Sequence, residues 1–369
     1  MRRHLRPAPR RRVVLPGLAL VAVALLVPSS GAARGERAAS AGPTRPPALV
    51  RAGDSKTTCI DFPLRNYDLP ASLGAVERAT GMQFNCIVTY SNADVTWGAW
   101  VSPWITGRQY GYVQWVAANR THRSIVVTQN LVPDVVDQQS GWEATCASGA
   151  FRTYGRQLAA HLIAAGFEYA VVRLGPEMNG NWYYDSLGST PASWRQWAQC
   201  FAQTVSAMRS VRGGHFLFDW NVNAGLRPIP LAAYYPGNAY VDIVGVDAYD
   251  TGPSNSLPPV GSAARWSRIV NEPYGLEALY RFAVAHHKPL SLPEWGTVSG
   301  ANGGDDGAYV THMGEFIASH DVAYQAWFDT PSPGVLPLDP TVAPRSVAAY
   351  YAAFGPGSAI AAYQKRVDA

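Results

Sequence analysis

The sequence predicts an α/β chain folded as a (β/α)8 TIM barrel. Three observations predict it. Eight short apolar runs have strand character, helix-like segments fall between them, and about 300 residues hold the whole set. Short apolar runs alternating with helices indicate parallel strands joined by crossover helices.

The elements follow in order. TCIDF (58–62) and FNCIVTY (84–90) are the first two strand-like runs, rich in β-branched and aromatic residues, and SLGAVERATG lies between them. YGYVQWVAANR leads to the third run, SIVVTQ (124–129), and YGRQLAAHLIAAG leads to the fourth, YAVVRL (169–174). The segment 191–213, with apolar residues at helical spacing, precedes HFLFDWN (215–221). PLAAYYPG is a short fifth connection before VDIVGVDAY (241–249). GLEALYRFAVAHH precedes PLSLPEW (289–295), GAYVTHMGEFIASH precedes VAYQAWF (322–328), and RSVAAYYAAF closes the set. A doubly wound open sheet is the alternative use of these elements. No GxGxxG opens a helix after a strand, so its dinucleotide-binding form has no motif here.

The ends of the chain read differently. Residues 1–33 have an arginine-rich head, a 15-residue apolar stretch (VVLPGLALVAVALLV) and small residues around Ala32 and Ala33. This is the pattern of a secretory signal peptide and too short for a comfortable membrane span. The general secretory route is favoured over the twin-arginine route. Residues 34–54 read as a linker or disordered leader, 55–357 as the barrel domain and 358–369 as a C-terminal tail. The formal net charge of +4 includes +6 from the six arginines of the head, which leaves −2 on the remainder. Such a chain has no basic footprint for nucleic acid. Hydrophobic residues at 47% and charged residues at 15% exclude a disordered, highly charged binder. A monomer without a membrane span is expected.

Cys59, Cys86, Cys146 and Cys200 allow three pairings in an exported chain. Cys59–Cys86 with Cys146–Cys200 is favoured, because each bridge joins neighbouring elements. The cysteines and histidines lack zinc-site spacing, so no metal and no cofactor are expected. NGGDDG (302–307) reads as a turn with an aspartate capping the next helix in preference to a calcium loop.

In a barrel, functional residues come from the C-terminal ends of strands. Those ends carry Arg173, Glu177 and Asn179 on the fourth strand and Trp220 and Asn221 on the fifth. Asp247 and Tyr249 end the sixth, Glu294 and Trp295 the seventh, and Trp327 the eighth. A single glutamate at a strand end is ordinarily explained by an arginine partner, and Arg173 is at hand. Two glutamates three βα units apart, both facing one cleft, fit a different chemistry. Glycoside hydrolysis uses one carboxylic acid to protonate the leaving oxygen and one carboxylate to attack the anomeric carbon. Trp182, Trp220, Trp295 and Trp327 are candidates for the floor of a sugar subsite. Trp97, Trp100, Trp104 and Trp142 divide evenly between sugar stacking and loop anchoring.

RLGPEMNGNWY (173–183) resembles the acid/base motif of glycoside hydrolase family 26, approximately R-x-x-H-E-M-N-G-x-W. LPEWG (292–296) resembles the seventh-strand nucleophile motif of the same clan of retaining barrel hydrolases, and VDIVGVDAYD (241–250) is similar to that family's sixth-strand segment. The resemblance is ordered along roughly residues 57–355. It implies Glu177 as general acid/base, Glu294 as nucleophile, Tyr249 bonded to the nucleophile, and Arg173, Asn179 and Trp182 as supports. The chain departs from the pattern at Pro176, where the family has a histidine able to hydrogen-bond around the site. The expectation is a secreted retaining endo-β-glycosidase acting on a polysaccharide or oligosaccharide, with β-mannan as the first guess. The alternatives are a non-catalytic glycan-binding barrel and a transglycosylase that remodels the cell envelope.

Overall fold

A computed structural model describes residues 46–62, 68–91, 96–225, 227, 229–251, 258–299, 303–329 and 334–369. The expected signal segment, 1–33, lies outside the described residues. Eight parallel strands close into a barrel in sequence order: β1 (Thr57–Phe62), β2 (Cys86–Tyr90), β3 (Ser124–Gln129), β4 (Val171–Leu174), β5 (Leu217–Asn223), β6 (Ile243–Tyr249), β7 (Leu290–Gly296) and β8 (Val322–Phe328). Each strand begins within two residues of the run that predicted it.

The helices differ more from expectation. Leu69–Thr80, Tyr112–Ala118, Arg152–Ala164, Pro191–Arg209, Leu276–Ala285, Gly307–Ser319 and Pro344–Phe354 are the expected helices. PLAAYYPG supplies only a 3-10 turn, Leu231–Ala233, cut short by prolines that lack the N–H a longer helix needs. Asp306 caps Gly307–Ser319, accepting from the Ala308 and Tyr309 amides at 3.1 and 3.0 Å. Asp305 accepts from the Arg345 and Ser346 amides at the start of the last crossover helix. Both aspartates of the DDG turn are thus helix caps.

Period-2 alternation divides each strand between two environments. Ile60, Phe62, Ile87, Val172, Phe218, Val244 and Val246 pack outward against helices. Cys59, Cys86, Val88, Val126, Val171, Ile243, Tyr324 and Ala326 form a separate cluster in the lower lumen. The two disulfides pair Cys59 with Cys86 and Cys146 with Cys200. The first joins register partners on β1 and β2, and the second joins Trp142–Ala147 to Pro191–Arg209.

Two segments outside the expected barrel are helical. Ala48–Ala52 falls in the leader and Ala359–Asp368 in the tail. Each buries an apolar residue, Leu49 and Ile360, which gives it a reason to dock. Arg51 donates to the Val367 carbonyl, and Gln364 donates to Thr58 Oγ1 at 3.0 Å. Among the described residues, no helix is long and apolar enough to cross a membrane.

Candidate active site

Above the apolar lower lumen, inward positions turn polar at the C-terminal ends of the strands. Arg173 on β4 is the centre of this layer and is fully buried. Its Nε and Nη2 donate to Asn221 Oδ1 at 3.0 and 2.6 Å, and Nη1 donates to the Tyr90 hydroxyl at 3.0 Å. Nη1 also pairs with Glu294 and Nη2 with Asp247. The planar five-donor fork of arginine suits this arrangement, because it serves several acceptors at once in fixed directions.

Glu294 is placed by an irregularity in β7. Leu292 and Trp295 both face the outer layer although they are three positions apart, so one extra residue intervenes. The ladder to β8 shifts register between Leu292 and Trp295, and Pro293 has no N–H to give it. Such a bulge re-aims a side chain. Here it turns Glu294 inward, where it meets Arg173 and accepts from the Tyr249 hydroxyl at 2.8 Å. Burial pushes the Glu294 carboxyl up, to about 8. The guanidinium in contact with it and the phenol donor both stabilise the anion and oppose that rise. Burial likewise raises Asp247 well above the ordinary aspartate range, and Arg173 opposes that shift.

Glu177 is placed by a strained turn after β4. Gly175 has φ +57° and donates the last ladder bond, to Gln129 O at 2.8 Å. A Cβ there would lie 2.7 Å from the Trp197 ring, so only glycine fits. Glu177 itself has φ +49°, a left-handed conformation unusual for glutamate. Its amide donates to the Asn221 carbonyl at 3.1 Å, and that bond holds the conformation in place. Non-glycine residues in this region cluster at functional sites, where the surroundings enforce them. The carboxyl accepts from Trp182 Nε1 at 2.6 Å on one oxygen and from Asn223 Nδ2 at 2.5 Å on the other. Both oxygens are therefore served without any donor from position 176, where Pro176 stands. Oxygens of Glu177, Asp247 and Glu294 lie within 4.8 Å of one another. A cation already sits beside two of the three, since Arg173 pairs with Asp247 and Glu294.

Most of the expected site residues meet here: Arg173, Glu177, Asn221, Asp247, Tyr249, Glu294 and Trp182. Asn179 stands one layer back, in reciprocal bonds with the Asn223 backbone at 2.8 Å. Three tryptophans do not reach the cleft. Trp220, Trp295 and Trp327 are fully buried in the outer layer. Trp220 packs on Tyr234, Tyr235 and Phe282, while Trp295 packs on Trp327 and Tyr350. The reason is alternation: each is one residue from an inward-facing position, so it points the other way. A place as subsite floor is corrected for all three. Trp182, 49% exposed, is the tryptophan that faces solvent beside the carboxyls.

The loop tryptophans are anchors. Trp97 stacks on Tyr154 at 3.8 Å, Trp100 donates to Asn130 O, Trp104 donates to Tyr90 O, and Trp142 is buried. Sequence reasoning missed Tyr90, which ends the second strand with a polar tip aimed at Arg173. Its place at a strand C-terminus was the available signal. It missed Tyr183 as well, whose hydroxyl is pushed up by burial and by Glu177 close by.

The family model for glycosyl hydrolase family 26 matches residues 125–269, a stretch that runs from β3 past β6. It includes Arg173, Glu177, Asp247 and Tyr249 and stops short of Glu294. No curated protein sequence matches the chain. Among solved structures, a Cellulomonas fimi endo-β-1,4-mannanase double mutant is similar with a TM-score of 0.58 at 18% identity, over 87% of this chain and 78% of that one. The catalytic domain of the Bacillus sp. JAMB-750 endo-β-1,4-mannanase gives 0.58 at 16% identity, over 86% and 92%. The Bacillus subtilis mannanase BCman gives 0.56 at 14% identity, over 82% and 87%. At these identities the structures establish the shared fold. The family match over residues 125–269 supports a family 26-like glycoside hydrolase.

Proposed function

We propose that the chain is a retaining endo-β-glycosidase that works by double displacement. One observation carries the reading: the Glu177 and Glu294 carboxyl oxygens approach within 4.8 Å. Inverting enzymes hold their carboxyls about 6.5–9.5 Å apart to admit a water, and retaining enzymes about 5–5.5 Å apart. Glu294 is the nucleophile. Arg173 and Tyr249 hold it as the anion that attacks the anomeric carbon. Glu177 is the acid/base. It gives its proton to the glycosidic oxygen as that bond breaks, then takes a proton from the water that hydrolyses the glycosyl-enzyme. Asp247 and Asn221 hold the Arg173 guanidinium in place. Trp182 fixes the Glu177 carboxyl and offers its exposed ring to the sugar on the leaving-group side.

The similar solved structures are described as endo-β-1,4-mannanases, which supports β-mannan as the first substrate to try. Two disulfides support an oxidising destination, in keeping with the apolar N-terminal stretch and export. The test is incubation of the mature protein with a panel of β-mannan, β-1,3-xylan and mixed-linkage β-glucan. Early products are followed by proton NMR. Internal cleavage that releases the β-anomer first is expected. Release of the α-anomer first, from any of the three, overturns the retaining mechanism. Binding without cleavage of any of them overturns the enzyme reading in favour of a glycan-binding barrel.

A further inference from the structure

The loop that follows Glu177 has to hold an exposed tryptophan still. Trp182 has little packing of its own, being about half exposed, yet its indole N–H supplies one of the two side-chain bonds to the Glu177 carboxyl. The neck of the loop is closed by Leu187 N to Met178 O at 2.8 Å. Between those points the chain runs through Gly180, and the Trp182 ring lies directly on it. A Cβ at position 180 would come within 2.6 Å of the ring. The position of Gly180 therefore decides the position of the indole.

Gly180 is held from the next strand. Arg227, in the loop after β5, reaches across with both terminal nitrogens. Nη1 donates to the carbonyls of Gly180 and Leu187, and Nη2 to those of Leu187 and Gly188, all four at 3.1 Å. Three carbonyl oxygens at the two ends of the 180–188 segment thus converge on one guanidinium. The arginine is held in turn. Ala224 N bonds Asp247 O at 2.9 Å, Gly225 N bonds Pro273 O at 2.7 Å, and Ile229 N bonds Arg227 O at 2.6 Å. Arg227 has φ +30°, a conformation that arginine adopts only when its surroundings impose it. No carboxylate is bonded to this guanidinium among the described residues, so its bonds are spent on main-chain acceptors.

We propose that Arg227 is a positioning residue for proton transfer: its fork fixes the Gly180–Gly188 loop, and through Gly180 and Trp182 it aims the Glu177 carboxyl. It touches neither sugar nor the reacting atoms. The proposal rests on the reading of Glu177 as acid/base. Lysine does not replace arginine here, because a single ammonium cannot meet three carbonyls in one plane.

The test reads dependence on the leaving group. Aryl β-mannobiosides carrying phenols from dinitrophenol to phenol are compared across wild type, Glu177→Ala, Arg227→Ala and Arg227→Lys, with aryl β-cellobiosides as the second series. A weakly acidic phenol needs a proton to depart, and dinitrophenol does not. Arg227→Ala is expected to lose about 10–100-fold in kcat/KM on the phenyl glycoside and about twofold or less on the dinitrophenyl one. Millimolar guanidinium is expected to restore part of the loss to Arg227→Ala and none to Glu177→Ala. Arg227→Lys keeps the charge and gives up the fork, so it should show the same slope, and it carries the test if the alanine variant fails to fold. Equal losses on all leaving groups, or no loss, overturn the proposal. If Glu177→Ala itself shows no leaving-group dependence, the acid/base reading fails first.

Discussion

The two carboxyls at the ends of β4 and β7 are built in opposite ways. Glu177 sits on a left-handed residue after its strand has ended, faces an exposed indole, and accepts from neutral donors, Trp182 and Asn223. Glu294 sits within its strand on a bulge, is buried, and meets a guanidinium and a phenol. Two like side chains thus receive different electrostatics. Glu294 is in contact with a cation, whereas the hydrogen bonds to the Glu177 carboxyl come from neutral groups.

The largest expected effect breaks the pair directly. Glu294→Ala should lose about 10⁴-fold or more in turnover on every substrate, because no group remains to form the glycosyl-enzyme. Glu177→Ala should lose about 10²–10⁴-fold on polysaccharide and much less in the first step on dinitrophenyl glycosides. Added azide should raise turnover of Glu177→Ala with such substrates and give a β-glycosyl azide. A Glu294→Ala variant that keeps the first step on activated substrates would exchange the two roles.

The barrel was legible because its signal is repetitive. Eight apolar runs with helices between them leave few other arrangements, and the polar residues at the run ends then locate the site. The pair was legible because strand order alone brings Glu177 and Glu294 to one face. What the sequence hid was direction. Trp220, Trp295 and Trp327 are neighbours of site residues along the chain, and for that reason they point away from the site in space. The β7 bulge was hidden as well, since it depends on how Pro293 interrupts ladders with strands far off in sequence. Tyr90 was marked only by its place at a strand end, and Arg227, which reaches the Gly180 carbonyl from the loop after β5, lies in no local pattern that marks it.

That difference in direction has its own test, of middle size. Trp220→Ala should cost about 3–5 kcal/mol of stability by opening a cavity against Tyr234, Tyr235 and Phe282, with kcat per folded molecule unchanged. Trp182→Phe should leave the melting temperature within about 1 °C, since the ring is half exposed. It should lower kcat on phenyl glycosides by about tenfold, since the donor to Glu177 is gone. Thermal melts and kinetics on the same preparations measure both. A Trp220 variant that changes KM for polysaccharide would return that residue to the subsites.

The smallest effect asks how far the cation at Glu294 sets it apart from a buried acid that has none. Asp185, buried and bonded to the Leu131 amide, is pushed up to about 7, with burial the main cause. Its folded pKa exceeds the unfolded value near 3.9, so between those values the folded chain binds more protons than the unfolded one. Its contribution to stability is then present below pH 4 and is lost as pH rises towards 7. Asp185→Asn removes that loss and should raise the melting temperature at pH 8 by about 2 °C, with no gain at pH 4. Burial pushes Glu294 up in the same direction, so burial alone would give Glu294→Gln the same gain. Arg173 opposes it: with a neutral amide at 294 the buried guanidinium loses one of the two carboxylates it contacts among the described residues, and an underpaired buried charge is destabilising. The expected outcome at pH 8 is therefore opposite in sign, a lower melting temperature for Glu294→Gln and a higher one for Asp185→Asn. A rise in both would mean that burial outweighs the ion pair and that Glu294 rests protonated in the free enzyme.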